Sequence, residues 1–275
     1  MQIREILVNL DIDLFSPALV ACAVDLAKRF EAGLIGISAA EPNVAAMGYE
    51  GAAAVGILYE QEQRDIESRL TQLEGLFHKA VPADVHAEWR GHVGHPNATV
   101  ARTARCADLI ITGSNFGGPS RSPSRSIDTG ELLVKAGRPV IIAGVGLSQI
   151  KADKVVVGWK DSREARRAVV DALPLLLAAR HVTVSTIHEA EFAEEKASLE
   201  DVLAWLRRHG IEAQGDTFPA QSGGPAETLE ALAKELRADL IVTGGYGHGR
   251  MREWLFGGMT RDLLSDRTVH RFMSN

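Results

Sequence analysis

The sequence predicts an α/β protein of two tandem Rossmann-like domains, each a parallel sheet with helices on both faces. Three observations carry this prediction. Short, nearly uninterrupted apolar runs alternate with segments of helical periodicity along the whole chain, the pattern of strands buried on both faces and joined by right-handed crossovers. The alternation restarts at residue 154, after a stretch at 144–152 that reads as a linker. Finally, ADLIVTG at 238–244 repeats ADLIITG at 107–113, and the same register lays Thr260 on Thr129 and Leu263-Leu264 on Leu132-Leu133. The chain therefore reads as a duplication, with domains expected at 1–147 and 152–275.

In the first half, residues 5–10 (EILVNL) form a strand ending at Asp11. Residues 16–30 form an amphipathic helix, with Leu19, Cys22, Ala23, Leu26 and Ala27 at helical spacing. A second strand at 34–39 follows Gly33, and the Ala/Gly-rich stretch 41–56 reads as a long loop or cover. A helix over 59–80 carries Ile66, Leu70, Leu73 and Phe77 on one face; a strand at 85–89, a short helix at 96–106, a strand at 109–112, a helix at 129–136 and a strand at 139–143 complete the unit. In the second half the strands are expected at 154–158 (KVVVG), 182–187, 211–218 and 240–243, and the helices at 162–177, 197–209 and 225–237. Aligning Val155 on Ile6 leaves the first half about 18 residues longer, an excess placed most simply before Tyr59. The terminal run TVHRFM (268–273) is expected as the last strand. Its His270 and Arg271 suit an edge, or an interface with polar contacts.

Composition narrows the function. The chain has 275 residues, 45% hydrophobic and 24% charged, with no apolar run long enough for a membrane span. Its first residues go straight into a strand-like run without the features of a secretory signal, so a cytoplasmic location is expected. A net charge of −6 argues against nucleic acid as a general partner, since backbone phosphates are bound by clustered Lys and Arg. Cys22 and Cys106 lie among apolar or small residues, which suits buried reduced thiols.

The stretch with most chemical content is 238–264. An apolar strand ends in Gly244, and Gly244, Gly247 and Gly257 give the spacing G-x2-G-x9-G, followed by Gly258 and a helix-like ending. At the carboxyl end of a parallel strand, such a loop presents free backbone N–H groups and a helix N-terminus to an anion. The same glycines also serve tight turns.

This glycine element after ADLIVTG, together with VVVGWKDS before a helix and the presence of two such units, resembles a tandem universal stress protein. The resemblance covers nearly the whole chain, more strongly in the second half. It implies five parallel strands per domain in the order 3-2-1-4-5. It also implies a division between members that bind ATP at the carboxyl strand ends and members that do not. Binders of the family carry G-x2-G-x9-G-[ST], an Asp ending the first strand near the adenosine, and a Thr two residues after the Ser or Thr. Here Gly244, Gly247, Gly257 and Thr260 match, while Gly258 stands in place of the hydroxyl residue and Lys160, followed by Asp161, in place of the Asp. Thr243 and Met259 flank these positions and complete the expected ligand-binding set. A hydrogen bond to a charged phosphate contributes about 1.5–3 kcal/mol, so ATP, with magnesium, is expected to bind one or two orders of magnitude more weakly.

In the first half Asp11 and Gly113 keep their places, but Phe116 replaces the second glycine and Ser126-Ile127 the Gly-[ST] pair. No nucleotide site is expected there, and GGPSRSPSRS (117–126) reads as a flexible, solvated basic loop. Family dimers form around fifth strands; the tandem pair supplies that contact within one chain, and a homodimer remains as a further assembly.

No nucleophile elbow, phosphate-binding loop with Lys, HExxH or CxxC is present, so no catalytic residues and no metal ligands are assigned. His248 in the glycine loop, and His95 and His188 after strand ends, read as solvent-facing more readily than as acid–base groups. Trp254 and Phe256 read as packing on the sheet, and 221–224 as a turn. The expected function is that of a non-enzymatic stress-response protein with one weakened adenine-nucleotide site, acting through unidentified protein partners. A weak magnesium-dependent ATPase and a ligand-free scaffold are the alternatives.

Overall fold

Strand β1 (Glu5–Asn9) is buried along four of its five residues, because it lies between β2 (Gly33–Ala40) and β4 (Leu109–Gly113) and is parallel to both. The computed structural model describes residues 2–43, 52–113, 122–188, 193–220, 224–245 and 268–275. Its first repeat is completed by α1 (Pro17–Phe30), α2 (Ala52–Ala80), β3 (Ala87–Val93), α3 (Pro96–Thr103), α4 (Thr129–Ala136) and β5 (Val140–Ala143). The second holds β6 (Lys154–Gly158), α5 (Arg163–Ala178), β7 (His181–His188), α6 (Ala193–Arg208), β8 (Ala213–Pro219), α7 (Gly224–Glu235), β9 (Leu240–Gly244) and β10 (His270–Ser274).

The strand order is β3-β2-β1-β4-β5-β10-β9-β6-β7-β8. Each repeat thus has the expected order 3-2-1-4-5, but the two sheets are one. β5 and β10 pair antiparallel, with Phe272 opposite Ile141, and fuse the halves across their fifth strands. Successive strand side chains point to opposite faces. Ile6, Val8, Val155, Val157 and Phe272 join α1 and α5 in one apolar layer that runs through both repeats. On the other face Leu7 and Ile110 pack with α3 and α4, and Val156 and Ile241 with α7.

Local signals explain the helix ends. Ser16 and Ser162 cap α1 and α5 by accepting the N–H of Leu19 and Ala165, and Asp128 caps α4 by accepting that of Glu131. α4 stops at Gly137, whose φ of 61° is the left-handed geometry that favours glycine.

Several expectations need correction. α2 starts at Ala52, inside the stretch read as loop; residues 44–51 of that stretch lie outside the described residues. Much of the extra length of the first half is therefore helix, 29 residues against 16 in α6. β3 runs from Ala87 to Val93 rather than 85–89, because Val85 closes a turn on Pro82 and pairing with β2 begins at Ala87. Residues 104–106 tighten into a 3-10 turn after α3, which leaves Cys106 exposed while Cys22 is buried. The segment 144–152, read as a linker, connects β5 to β6 and is held against the first repeat: Arg29 donates to the carbonyls of Ile150 and Lys151, and Ile150 and Ala152 are fully buried. Of the two readings of β10, an edge or an interface with polar contacts, the structure takes the second: β10 is central, at the seam between the repeats, with His270 and Arg271 buried within it.

Candidate functional site

In the second repeat the chain reverses its strand order between β6 and β9, and the crevice outside such a switch point is where open α/β sheets bind ligands. β6 and β9 are neighbours with Gly158 opposite Thr243. This register brings the exit of β6, with Lys160 and Asp161, beside Thr243 and Gly244 at the end of β9.

Gly244 owes its identity to a close approach. A Cβ there would meet the Ala165 nitrogen at 2.6 Å and the Glu164 carbonyl carbon at 2.7 Å, so the first turn of α5 packs directly on the end of β9. The partial positive charge of the α5 N-terminus is thereby held at the crevice. Ser162 fixes that turn: its N–H donates to the Lys160 carbonyl at 2.7 Å and its hydroxyl accepts the Ala165 N–H at 3.2 Å. Around it, Arg166 pairs with Asp161 at 3.0 Å and Arg163 with Glu164 at 3.2 Å. The exposed Lys160 has no anionic partner among the described residues, leaving one cation in excess beside a helix N-terminus.

The C-terminal residues shape the same place. Gly245 donates its N–H to the Ser274 carbonyl at 2.8 Å, and the Asn275 amide donates to the Gly245 carbonyl at 2.9 Å. Ser274 Oγ donates to Asp171, which Arg167 also holds. These contacts fix the direction in which the chain leaves β9, and nothing in the sequence pattern marks Asn275 for this role. At the adjoining end of β7, Ser185 Oγ and Thr186 Oγ1 are buried with no hydrogen-bond partner among the described residues. Of the residues predicted from sequence, the structure brings together Lys160, Asp161, Thr243 and Gly244. Gly247, Gly257, Gly258, Met259 and Thr260, with His248, Trp254 and Phe256, lie outside the described residues.

At the corresponding end of the first repeat, residues 114–121 lie outside the described residues, and the chain beyond β1 and β2 is tied to itself. Asp11 turns inward, its carboxylate accepting the N–H groups of Asp13 and Leu14. Arg125 grips Asp13 through two bonds of 3.0 and 2.6 Å, which raises the guanidinium pKa further, and Ser124 accepts the Glu41 N–H through its carbonyl. Of the segment 117–126 expected as a solvated loop, residues 117–121 lie outside the described residues, while 122–126 are a tied-down turn across the ends of β1 and β2, with Ser124 buried. Arg125, one of the two arginines that make the segment basic, is the one that fastens this turn.

The second-repeat crevice can hold an anion by charge and by helix dipole. Among the described residues there is no cluster of metal-ligating side chains, and no helix is long and apolar enough to cross a membrane.

Doubly wound α/β units in tandem, with a crevice at the strand reversal, define the class of protein. Within that class the chain has the fold of tandem universal stress proteins. A universal stress protein from Archaeoglobus fulgidus DSM 4304 matches with a TM-score of 0.72 at 16% identity, over 98% of this chain and 96% of that one. A provisional universal stress protein from Pseudomonas aeruginosa UCBPP-PA14 matches with a TM-score of 0.57 at 17% identity, over 99% and 93%. A functionally unknown protein from Pseudomonas aeruginosa PAO1 matches with a TM-score of 0.55 at 16% identity, over 99% and 92%. No family model and no curated protein matches the sequence.

Proposed function

We propose that the chain is a universal stress protein without enzymatic activity of its own, whose second domain binds an adenine nucleotide weakly through the β6/β9 crevice. The repeats, 1–147 and 152–275, act as its two domains, in the cytoplasm, and the bound nucleotide alters its contacts with protein partners. The observation that carries this reading is Lys160: a cation with no anionic partner among the described residues, beside Gly244 and the α5 N-terminus. The residues present suit the phosphate end of the ligand better than the adenosine end, because Lys160 cannot accept a hydrogen bond and Asp161 is engaged by Arg166. Calorimetric titration with ATP and ADP in the presence of magnesium tests it. Saturable heat with a thermal shift supports the reading; neither heat nor shift at millimolar nucleotide removes it.

A scaffold without a ligand is supported by one observation: packing against α5 by itself requires a glycine at 244. The same titration separates the two readings.

A further inference from the structure

The second repeat contains a cavity of about 470 Å³ between α5 and α6. Its walls include Trp159, Val170, Val202 and Trp205, with Ser198 and Asp201 as polar members. Asp161 borders both this cavity and the strand-end crevice, but the other walls come from Trp159, α5 and α6, and neither Lys160, Thr243 nor Gly244 is among them, so the cavity opens beside the crevice and does not rest on the nucleotide reading.

A difference between the repeats leaves this space open. In the first repeat the connection from β1 to the cap Ser16 comprises residues 10–15, and two of its side chains act as a plug. Ile12, fully buried, and Phe15 pack with Ile66 and Leu70 of α2 to fill the seam between the helices. In the second repeat the connection from β6 to the cap Ser162 is only residues 159–161, three residues shorter. Trp159 follows the strand directly and the chain has no residues left to serve as Ile12 and Phe15. A space of a few hundred cubic ångströms, apolar with a few polar groups, is the ordinary form of a small-ligand site.

The lining sets the chemistry. The Trp159 indole N–H donates to Ser198 Oγ at 2.9 Å, which fixes the ring and satisfies its polar edge. The Trp205 ring is steadied by His209, with centroids 4.1 Å apart. Two held indoles offer aromatic faces, which attract flat rings and cations. Among the charged members, Arg166 is spent on Asp161. Asp201 has no cationic partner among the described residues, so the lining carries one carboxylate in excess. We propose that this cavity binds a small, flat aromatic molecule bearing a protonated amine, with the ring system against Trp159 and Trp205 and the ammonium at Asp201.

The test uses the full chain and tryptamine as the probe, with indole-3-acetate as its anionic counterpart. The indole N–H signals of Trp159 and Trp205 are followed by nuclear magnetic resonance, assigned through Trp159→Phe and Trp205→Phe. The expected result is a saturable shift of both signals with tryptamine, at an affinity about ten-fold or more above that for indole-3-acetate. Asp201→Asn should bring the two probes within about three-fold of each other. Val170→Trp, at a position 41% exposed, should fill the cavity and abolish tryptamine binding while the thermal midpoint is kept. Saturating ATP should leave the tryptamine curve unchanged. The proposal is overturned by the absence of a saturable shift, by equal affinity for both probes in the unaltered chain, by a cation preference that survives Asp201→Asn, or by competition from ATP.

Discussion

His270 and Gly144 are bonded across the seam between the repeats: His270 Nδ1 accepts the Gly144 N–H at 3.2 Å. With Nδ1 accepting, Nε2 carries the proton and donates to the Gln149 carbonyl at 3.0 Å. The ring must be neutral to make both bonds.

Burial lowers the His270 pKa below its ordinary value of 6.5, with Arg271 acting in the same direction and Asp239 and the Gln149 bond opposing. The unfolded chain therefore binds the proton more readily than the folded one. The sign follows: this contribution to stability is complete above the ordinary value and is lost as the pH falls below it. The thermal midpoint is expected to fall between about pH 7.5 and pH 5.5, and His270→Gln to show a lower midpoint with a shallower pH slope. Calorimetric scans of both proteins across that range check the difference.

Gly244→Ala places a methyl group against the backbone of α5, which cannot rotate away. A loss of about 1–3 kcal/mol is expected. Gly245→Ala is the control, since its Cβ would meet no atom nearer than 3.5 Å, and denaturant unfolding of the pair should show the neighbours behaving oppositely.

Lys160 is exposed, so Lys160→Ala should leave the unfolding midpoint within about 0.5 kcal/mol of its starting value. If the crevice takes phosphate, the same change reduces ATP affinity about ten-fold and flattens its dependence on salt. Titrations at two ionic strengths read both effects.

The two thiols should behave as opposites. Burial pushes Cys22 up to about 12, whereas hydrogen bonding to Arg90, aided by Arg105, lowers the exposed Cys106 thiol. One thiol per chain is expected to react with a disulfide reagent in the native protein and both after denaturation. Arg90→Ala should slow the native reaction.

Arg271 is 1% exposed and lies 3.3 Å from Glu230. Removing the carboxylate alone, as in Glu230→Ala, should cost about 3 kcal/mol, because it strips a partner from a buried charge. Adding Arg271→Met should recover much of that loss, which a double-mutant comparison by denaturant unfolding would show.

What the sequence made legible was set by the range of the forces involved. α4 and β6 were readable to the residue because Asp128, Gly137 and the apolar KVVVG act within a few positions of themselves. The order of the strands came with the family resemblance; alternation alone predicted only that the sheets are parallel. β3 was misplaced because, as an outer strand, AEWRGHV carries few apolar residues to mark it. β10 could be read as an edge or as a polar interface, and the sequence did not decide between them, because the partners that make His270 and Arg271 tolerable at the centre, Gly144, Gln149 and Glu230, are distant in the chain. For the candidate site, Lys160 and Gly244 could be paired in advance through the family resemblance. Asn275 could not, since an asparagine at a chain end carries no periodicity. The three-residue difference that opens the α5/α6 cavity was hidden inside an overall length excess.

The antiparallel pairing of Phe272 with Ile141 has a bearing on descent as well as on architecture. A protein of one repeat that associates through this strand meets an identical copy, so every substitution appears on both sides of the seam. Here the two sides are encoded separately and are joined in fixed one-to-one proportion by the peptide chain, at a local concentration that does not depend on expression. The protein is in effect a heterodimer carried on a single polypeptide. One half is free to fasten its 122–126 turn with Arg125 while the other keeps a cation and a cavity exposed, and neither change has to be tolerated twice.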